Sequence, residues 1–195
     1  MGLRQRASYL SVADYLAGER DSPVKHEYVD GVVYAMAGTS KNHNRIALNL
    51  AKRLDDHLDG HRCETFIGDM KVRVSPTVYY YPDVVVACDP PGGDEYTSQQ
   101  PILIIEVLSP STAKTDRREK LRNYRNIPGL LEYVMVAQGR VRIEVWRRRA
   151  NEEWEIEFLT QTDDTLELES VGLSLSVAQV YRNVILDTEP SPEDE

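Results

Sequence analysis

Two acidic residues lie inside segments that otherwise have the composition of buried β-strands. Glu106 follows four apolar residues in PILIIEVLSPST, and Asp83 directly precedes three valines in YYYPDVVVACD. Alternate residues of a strand point to the same face, so Glu106 shares the face of Ile104 and Ile102 and cannot be assigned to a solvent-facing side. An ionised carboxylate that is buried without a partner costs several kcal/mol, so the two acids need a common explanation.

Two kinds of site can hold such a pair of acids. Two carboxylates that lie close together repel each other unless one is protonated or a cation lies between them. A divalent ion such as Mg²⁺ accepts one or two carboxylates and keeps several water ligands, and it can polarise an oxygen of a phosphate ester. The alternative is that each acid forms an ordinary ion pair with an Arg or Lys of a neighbouring helix. The pattern of residues leaves both interpretations open.

The elements that must position these acids follow from the apolar periodicity of the chain. KHEYVDGVVYAM has the pattern of a β-hairpin that turns at Asp30 and Gly31. Ser111, beside Pro110, is the expected cap of a helix that follows the Glu106 strand. Helices are predicted at residues 10–19, 40–58, 111–126 and 176–185. Further strands are predicted in CETFIGDMKVRV, YYYPDVVVACD, ILIIEVL, TLELES and an antiparallel meander of LLEYVMVA, VRIEVWRRR and EEWEIEFLT.

The order and composition of these segments limit the architecture. They predict an α/β (α+β) fold with a mixed sheet and a principal helix on each side. The chain has 195 residues, of which 41% are hydrophobic, so we expect a single domain at 1–186 and an acidic, disordered tail at 187–195. It has no apolar run as long as a membrane span and no signal peptide, which predicts a cytoplasmic protein. Cys63 and Cys88 do not have the number or spacing of a disulfide framework or a zinc site, so two free, buried thiols are expected.

The charge of the chain is unevenly distributed along its length. The formal net charge is −9, but residues 151–195 hold 13 acidic side chains and one arginine, whereas residues 1–150 hold 22 basic and 19 acidic ones. Two basic stretches stand out, AKTDRREKLRNYR at 113–125 and RVRIEVWRRR at 140–149. Either stretch can line a track for phosphate groups, and either can equally be a solvated helix face or strand edge.

A set of short motifs around the two acids resembles a known family. PDVVV and PILIIEVLSPST, followed by Asp116, Lys120 and Tyr124 and then by Glu132 and Tyr133, are similar to the Uma-two family of restriction-endonuclease-like proteins in the PD-(D/E)XK nuclease superfamily. HEYVDG, MAGTSKNHN and DMKVRV also fit, and the resemblance extends from the N-terminal helix to VAQVY. It implies the restriction-endonuclease-like fold, in which helices flank a central mixed sheet, here with an additional N-terminal hairpin and the C-terminal meander. It further implies DNA cleavage that depends on Mg²⁺ or Mn²⁺, DNA as partner, and a homodimer.

The resemblance also implies roles for individual residues. Asp83 and Glu106 match the two acids that hold the metal, but Leu108 stands where the superfamily pattern has lysine. The family places the lysine on the following helix, where Lys120 matches and would offset negative charge at the transition state. Glu27 is a candidate for an additional acid near the metal.

Several alternatives to this assignment remain open. Lys114 is a rival for the catalytic lysine and Lys71 a weaker one, and Lys120 can instead form an i,i+4 pair with Asp116 on a solvated helix. His43 opens the long predicted helix and either reaches the site or packs under a loop, of which we favour packing. At the level of function, Leu108 can mark a lost site in a DNA-binding or regulatory module without catalysis. A third interpretation is a structural interaction domain whose acids form ion pairs.

Overall fold

The computed structural model describes residues 9–110 and 112–187. Ser111, the expected helix cap, lies outside the described residues, and so does the predicted tail from residue 188 onward. The helical segments are α1 (Val12–Arg20), α2 (Lys41–Leu58), α3 (Ala113–Thr115), a π-helical segment (Asp116–Lys120), α4 (Leu121–Tyr124) and α5 (Val177–Val180). The first seven strands are β1 (His26–Val29), β2 (Val32–Ala35), β3 (Glu64–Ile67), β4 (Lys71–Ser75), β5 (Val78–Tyr80), β6 (Val84–Ala87) and β7 (Thr97–Ser98). The others are β8 (Pro101–Leu108), β9 (Glu132–Ala137), β10 (Ile143–Arg148), β11 (Trp154–Leu159), β12 (Thr165–Leu168) and β13 (Leu173–Ser176).

A six-stranded mixed sheet forms the centre of the molecule. Its strand order is β11-β10-β9-β8-β6-β3, with β8 and β9 parallel and every other pair antiparallel. The predicted meander of β9, β10 and β11 is confirmed and forms one half of this sheet. Since β8 and β9 are parallel, the chain must cross over between them, and it does so through the helix at 113–124.

A smaller sheet of five strands, in the order β2-β1-β5-β4-β7, contains the predicted hairpin. Asp30 and Gly31 both have positive φ, 47° and 93°, as a two-residue hairpin turn of this kind requires. β12 and β13 form a separate two-stranded hairpin.

Two segments that were expected to be single strands are each divided between the two sheets. YYYPDVVVACD contributes β5 to the smaller sheet and β6 to the central sheet. Pro82 lies between them, and because proline has no backbone N–H it cannot continue the ladder. CETFIGDMKVRV is also divided: it contributes β3 to the central sheet and β4 to the smaller sheet. Asp83 therefore stands where the chain passes from one sheet to the other.

The two faces of β8 belong to two different apolar clusters. Ile105 and Val107 pack with α2, whose buried face includes Leu50, whereas Ile104 and Leu108 pack in the cluster that also contains Tyr124 of α4. This alternation confirms that Glu106 points towards the side covered by the helix at 113–124.

That helix, called the site helix below, consists of α3, the π-helical segment and α4 without interruption, since the residues at both junctions have α-helical backbone angles. π-Helical turns inside α-helices occur frequently at functional sites. Its inward face carries Asp116, Lys120 and Tyr124, all of which are buried.

Cys63 and Cys88 form a disulfide, so the prediction of two free thiols is wrong. The reason is the pairing of β3 with β6, in which Glu64 lies opposite Ala87. The next pair in this register is Cys63 and Cys88. In the part of the chain that the structure describes, no helix is long and apolar enough to cross a membrane.

Candidate active site

Asp83 directly precedes β6, and Glu106 lies in β8, the neighbouring strand of the central sheet. Val84 of β6 lies opposite Ile105 of β8, and the same register continued by one residue places Asp83 opposite Glu106. Oδ2 of Asp83 accepts a hydrogen bond of 2.7 Å from the backbone N–H of Val107, which fixes the aspartate against the neighbouring strand.

The ammonium group of Lys120 joins the two sheets at this point. Its Nζ lies 3.0 Å from Oε1 of Glu106 in the central sheet and 2.8 Å from Oε1 of Glu27 in the smaller sheet. Oδ1 of Asp116, one turn back on the site helix, lies 3.4 Å away. Three carboxylates thus surround one ammonium group.

Tyr124 supplies a second hydrogen bond to Glu106. Its hydroxyl donates to Oε1 over 2.9 Å, and Lys120 donates to the same oxygen. Oε2 of Glu106 has no hydrogen-bond partner among the described residues. The glutamate is therefore held by one oxygen and presents the other to the site.

The electrostatics of the site reflect this excess of acids. Burial raises the pKa of Glu106 well above its ordinary value of 4.5; Lys120 opposes the shift, and the neighbouring carboxylates add to it. Burial also raises the pKa of Asp116. Burial by itself would lower the pKa of Lys120, but the attraction of Glu106, Glu27 and Asp116 outweighs it and raises the pKa well above 10.5. Lys120 therefore stays charged, and Glu106, Glu27 and Asp116 share its positive charge.

His43 reaches the site, contrary to the packing role that we favoured from the sequence. It lies in the first turn of α2, which Ser40 caps by accepting a hydrogen bond from the His43 backbone N–H. Nε2 of His43 lies 2.8 Å from Oδ1 of Asp83, and the side chain is buried. Asp83 is thus held at both oxygens, by His43 and by the N–H of Val107.

The structure separates Lys120 from its rivals. Lys114 is exposed. Lys71 is a buried residue of β4 in the smaller sheet; its Nζ lies 5.8 Å from the ring centres of both Tyr15 and Tyr81, and burial lowers its pKa. Leu108 is 4% exposed and forms part of the apolar core.

The interpretation of Asp116 and Lys120 as a pair on a solvated helix is wrong. The two residues do pair, but they are 1% and 6% exposed. Together with Tyr124 they follow an i, i+4, i+8 spacing, which places all three on one helix face. This spacing is the signal by which the sequence could have identified Asp116 and Tyr124 as members of the site.

The donor set fits a hard divalent cation. Asp83 is close enough to Glu106 to act on its charge, Oε2 of Glu106 is unpartnered among the described residues, and Glu106, Glu27 and Asp116 share the single ammonium of Lys120. Within residues 9–110 and 112–187, no three His, Cys, Asp or Glu side chains are arranged to hold a metal by themselves. A bound ion would therefore rely on the two carboxylates together with water or backbone oxygens, which is a normal environment for Mg²⁺.

Comparisons with known proteins identify a family from the sequence and a fold from the structure. The sequence model of the Uma2 family, described as "Putative restriction endonuclease", matches residues 12–178. Two uncharacterized proteins of Synechocystis sp. are similar: slr1290 is 41% identical over 90% of this chain and 93% of its own length, and sll1609 is 34% identical over 74% and 84%.

A solved structure from Anabaena variabilis, "a putative nuclease belonging to DUF820", matches with a TM-score of 0.74. The match covers 88% of this chain and 97% of that chain at 16% sequence identity. At this identity the similarity concerns the fold, and it confirms the predicted fold class.

Proposed function

The chain belongs to the Uma2 family of proteins described as "Putative restriction endonuclease", and on this basis we propose that it is a magnesium-dependent endonuclease that hydrolyses phosphodiester bonds in DNA. The observation that carries the proposal is the position of the Lys120 ammonium, 3.0 Å from Glu106, in the strand next to the one that Asp83 precedes. An acid pair with an adjacent lysine is the set of groups that the superfamily resemblance implies, and Lys120 supplies the amine that position 108 lacks.

In this proposal Asp83 and Glu106 hold the ion. When bound, a magnesium ion polarises a phosphoryl oxygen and lowers the pKa of bound water. The hydrogen bonds that hold Asp83 at both oxygens keep its carboxylate in place before the ion arrives. The hydrogen bond from Tyr124 holds one oxygen of Glu106, so the site needs little rearrangement to bind the ion.

Lys120 acts on the phosphate rather than on the ion. Its charged amine lies beside Glu106 and can stabilise the negative charge that develops as the phosphodiester bond is broken. Glu27 and Asp116 keep the amine charged and fix its direction. Glu27 is thus an accessory acid that positions the lysine from the smaller sheet.

The decisive experiment is a single-turnover cleavage assay on duplex DNA with Mg²⁺ or Mn²⁺. Asp83→Asn and Glu106→Gln keep the shape of the side chains and should each abolish cleavage, and calorimetry should show weaker metal binding in both. Lys120→Met should slow cleavage by about 10²- to 10³-fold, as is typical for the loss of one preorganised charge. Lys114→Met, which removes an exposed amine from the same helix, should cleave like the parent.

The assay also decides between this proposal and a module without catalysis. If the parent binds DNA but does not cleave it with any metal tested, the protein is a binding module. Cleavage by Asp83→Asn or Glu106→Gln at the parent's rate would remove these residues from the site. The homodimer and the DNA partner stay predictions, which sedimentation of the parent with and without DNA would test.

A further inference from the structure

The outward face of the site helix carries a row of arginines. Arg118, Arg122 and Arg125 are exposed and follow one another at intervals of four and three residues, which places them on one side of a helix. Lys120 points the opposite way, into the acid cluster. The same helix therefore presents its charged amine to the candidate active site and three guanidinium groups to solvent.

These three arginines have no acidic partner within the described residues. The second basic stretch differs, because its arginines at 142, 147 and 149 are neutralised by glutamates. Arg147 is the most strongly committed of them, since it contacts Glu132 at 2.9 Å and Glu157 at 2.6 Å. Of the two stretches that could line a phosphate track, only the one at 113–125 leaves a row of arginines available.

The row lines a groove of about 390 Å³ whose opposite wall is the start of β11. The guanidinium of Arg125 lies 5.7 Å from the ring centre of Trp154 and 5.6 Å from that of Trp146, so cation–π contacts hold it in place. Glu152 is the one acid among the residues that line the groove, and it pairs with Arg148 at 3.1 Å. The groove is therefore strongly positive and partly preorganised.

We propose that this arginine groove binds the phosphodiester backbone of the DNA, a role that rests on the proposed nuclease function. Arginine suits phosphate because its planar guanidinium donates two parallel hydrogen bonds and stays charged at any physiological pH. The helix rises about 10 Å from Arg118 to Arg125. One strand of duplex DNA carries a charge about every 3.4 Å of its axis, so three phosphates fall within that length.

The position of the groove is compatible with one DNA molecule reaching both sites. Only the thickness of the site helix, about 10–12 Å with side chains, separates the arginine row from the acid cluster. This is shorter than one turn of duplex DNA, about 34–36 Å. The groove would thus anchor the backbone within one turn of the bond that is cut.

The test compares two variants that lose the same charge. The groove variant combines Arg118→Gln, Arg122→Gln and Arg125→Gln. The control combines Lys52→Gln, Arg62→Gln and Arg73→Gln, which are exposed positions elsewhere on the molecule. Binding to a fluorescent duplex is measured by anisotropy with EDTA present, so that no DNA is cut, at several salt concentrations, after circular dichroism has shown that all proteins are folded.

The groove variant should lose about 0.9 per phosphate from the slope of log affinity against log salt, or about 2.7 in total. If the parent and the groove variant bind equally at 1 M salt, this difference in slope amounts to a loss of about 10²- to 10³-fold in affinity at 0.1 M salt. The control should keep nearly the parent's slope. Equal slopes and affinities for the groove variant and the control would overturn the proposal. So would displacement of DNA from the parent by polyglutamate at equal charge concentration, since the groove would then select acidic protein.

Cleavage with Mg²⁺ separates failure of the groove from failure of the nuclease function. At saturating protein the groove variant should cut at the parent's single-turnover rate, because its substitutions do not touch the acid cluster, and only the concentration needed for saturation should rise. If the parent cuts DNA and the groove variant binds DNA like the control, the groove proposal is wrong and the proposed nuclease function is supported. If the parent binds DNA through the arginines and never cuts it, the groove proposal is supported and the nuclease function is wrong.

Discussion

Replacing Lys120 by methionine is expected to destabilise the protein strongly, because the lysine is the shared cation of a buried acid cluster. Methionine fills much of the space of the lysine stem and removes only the charged end. The substitution leaves Glu27, Glu106 and Asp116 facing one another with side chains that are 16%, 5% and 2% exposed. Their ionised forms would then lie in a largely dry site without a counter-charge.

The size of the effect follows from this loss. Removal of one partner from a buried ion pair costs about 3–5 kcal/mol, and here one ammonium serves three carboxylates. For a domain of this size each kcal/mol lowers the melting temperature by about 2–4 °C, so the variant should melt about 6–20 °C below the parent. The deficit should shrink as the pH falls, because a protonated carboxyl group no longer needs the cation.

Thermal and chemical unfolding at pH 8, both in EDTA, would measure this difference. Lys114→Met is the matched control, since Lys114 is exposed on the same helix, and it should change the free energy of unfolding by no more than about 0.5 kcal/mol. Adding Glu27→Gln to Lys120→Met removes one of the unpaired acids and should restore part of the stability. If Lys120→Met and the control have the same melting temperature at pH 8, the buried acids do not need the ammonium for stability, and the account of the site would be wrong.

Three further predictions concern Glu106, His43 and the acidic tail. The folded-state pKa of Glu106 is raised above 4.5, so this carboxyl group favours folding below that pH and opposes it as the pH rises; in metal-free unfolding experiments Glu106→Gln should flatten the loss of stability above pH 4.5, and an unchanged pH profile would contradict the assignment. His43→Ala removes the hydrogen bond to Asp83 and should weaken Mg²⁺ binding by about 10–100-fold in calorimetry, whereas His43→Gln should recover part of it; equal affinity in all three proteins would exclude a positioning role. Deletion of residues 188–195 removes four acids and no base, so DNA affinity should rise or stay level, and a fall in anisotropy titrations would refute the charge argument.

The residues that sequence reasoning located correctly are those fixed by local periodicity. The two-residue alternation of β8 determines which way Glu106 points. The helical repeat determines that Lys120 shares a face with Asp116 and Tyr124. The family resemblance identified that helix as the source of the lysine, and the structure brings these side chains together, while their catalytic roles stay predictions.

The residues that it placed wrongly depend on how distant elements meet. Whether His43 reaches Asp83 depends on the direction in which α2 crosses the central sheet, and no local pattern contains that direction. The pairing of Cys63 with Cys88 depends on the register of β3 against β6, whose partners are 23 residues apart at Glu64 and Ala87. The division of YYYPDVVVACD between two sheets has the same origin. The alternation of residues predicts a strand, but it does not predict which strand lies beside it.

The division of the candidate site along the chain has a practical consequence. Glu27 and Asp83 come before the exposed loop at 90–96, and Glu106 and Lys120 come after it. A polypeptide cut in that loop would give two fragments, each with two of the four groups and neither able to assemble the site. Reassociation of the fragments through the pairing of β6 with β8 would rebuild it. If the chain cleaves DNA as we propose, such fragments would make a complementation reporter in which cleavage signals that two fused proteins have met.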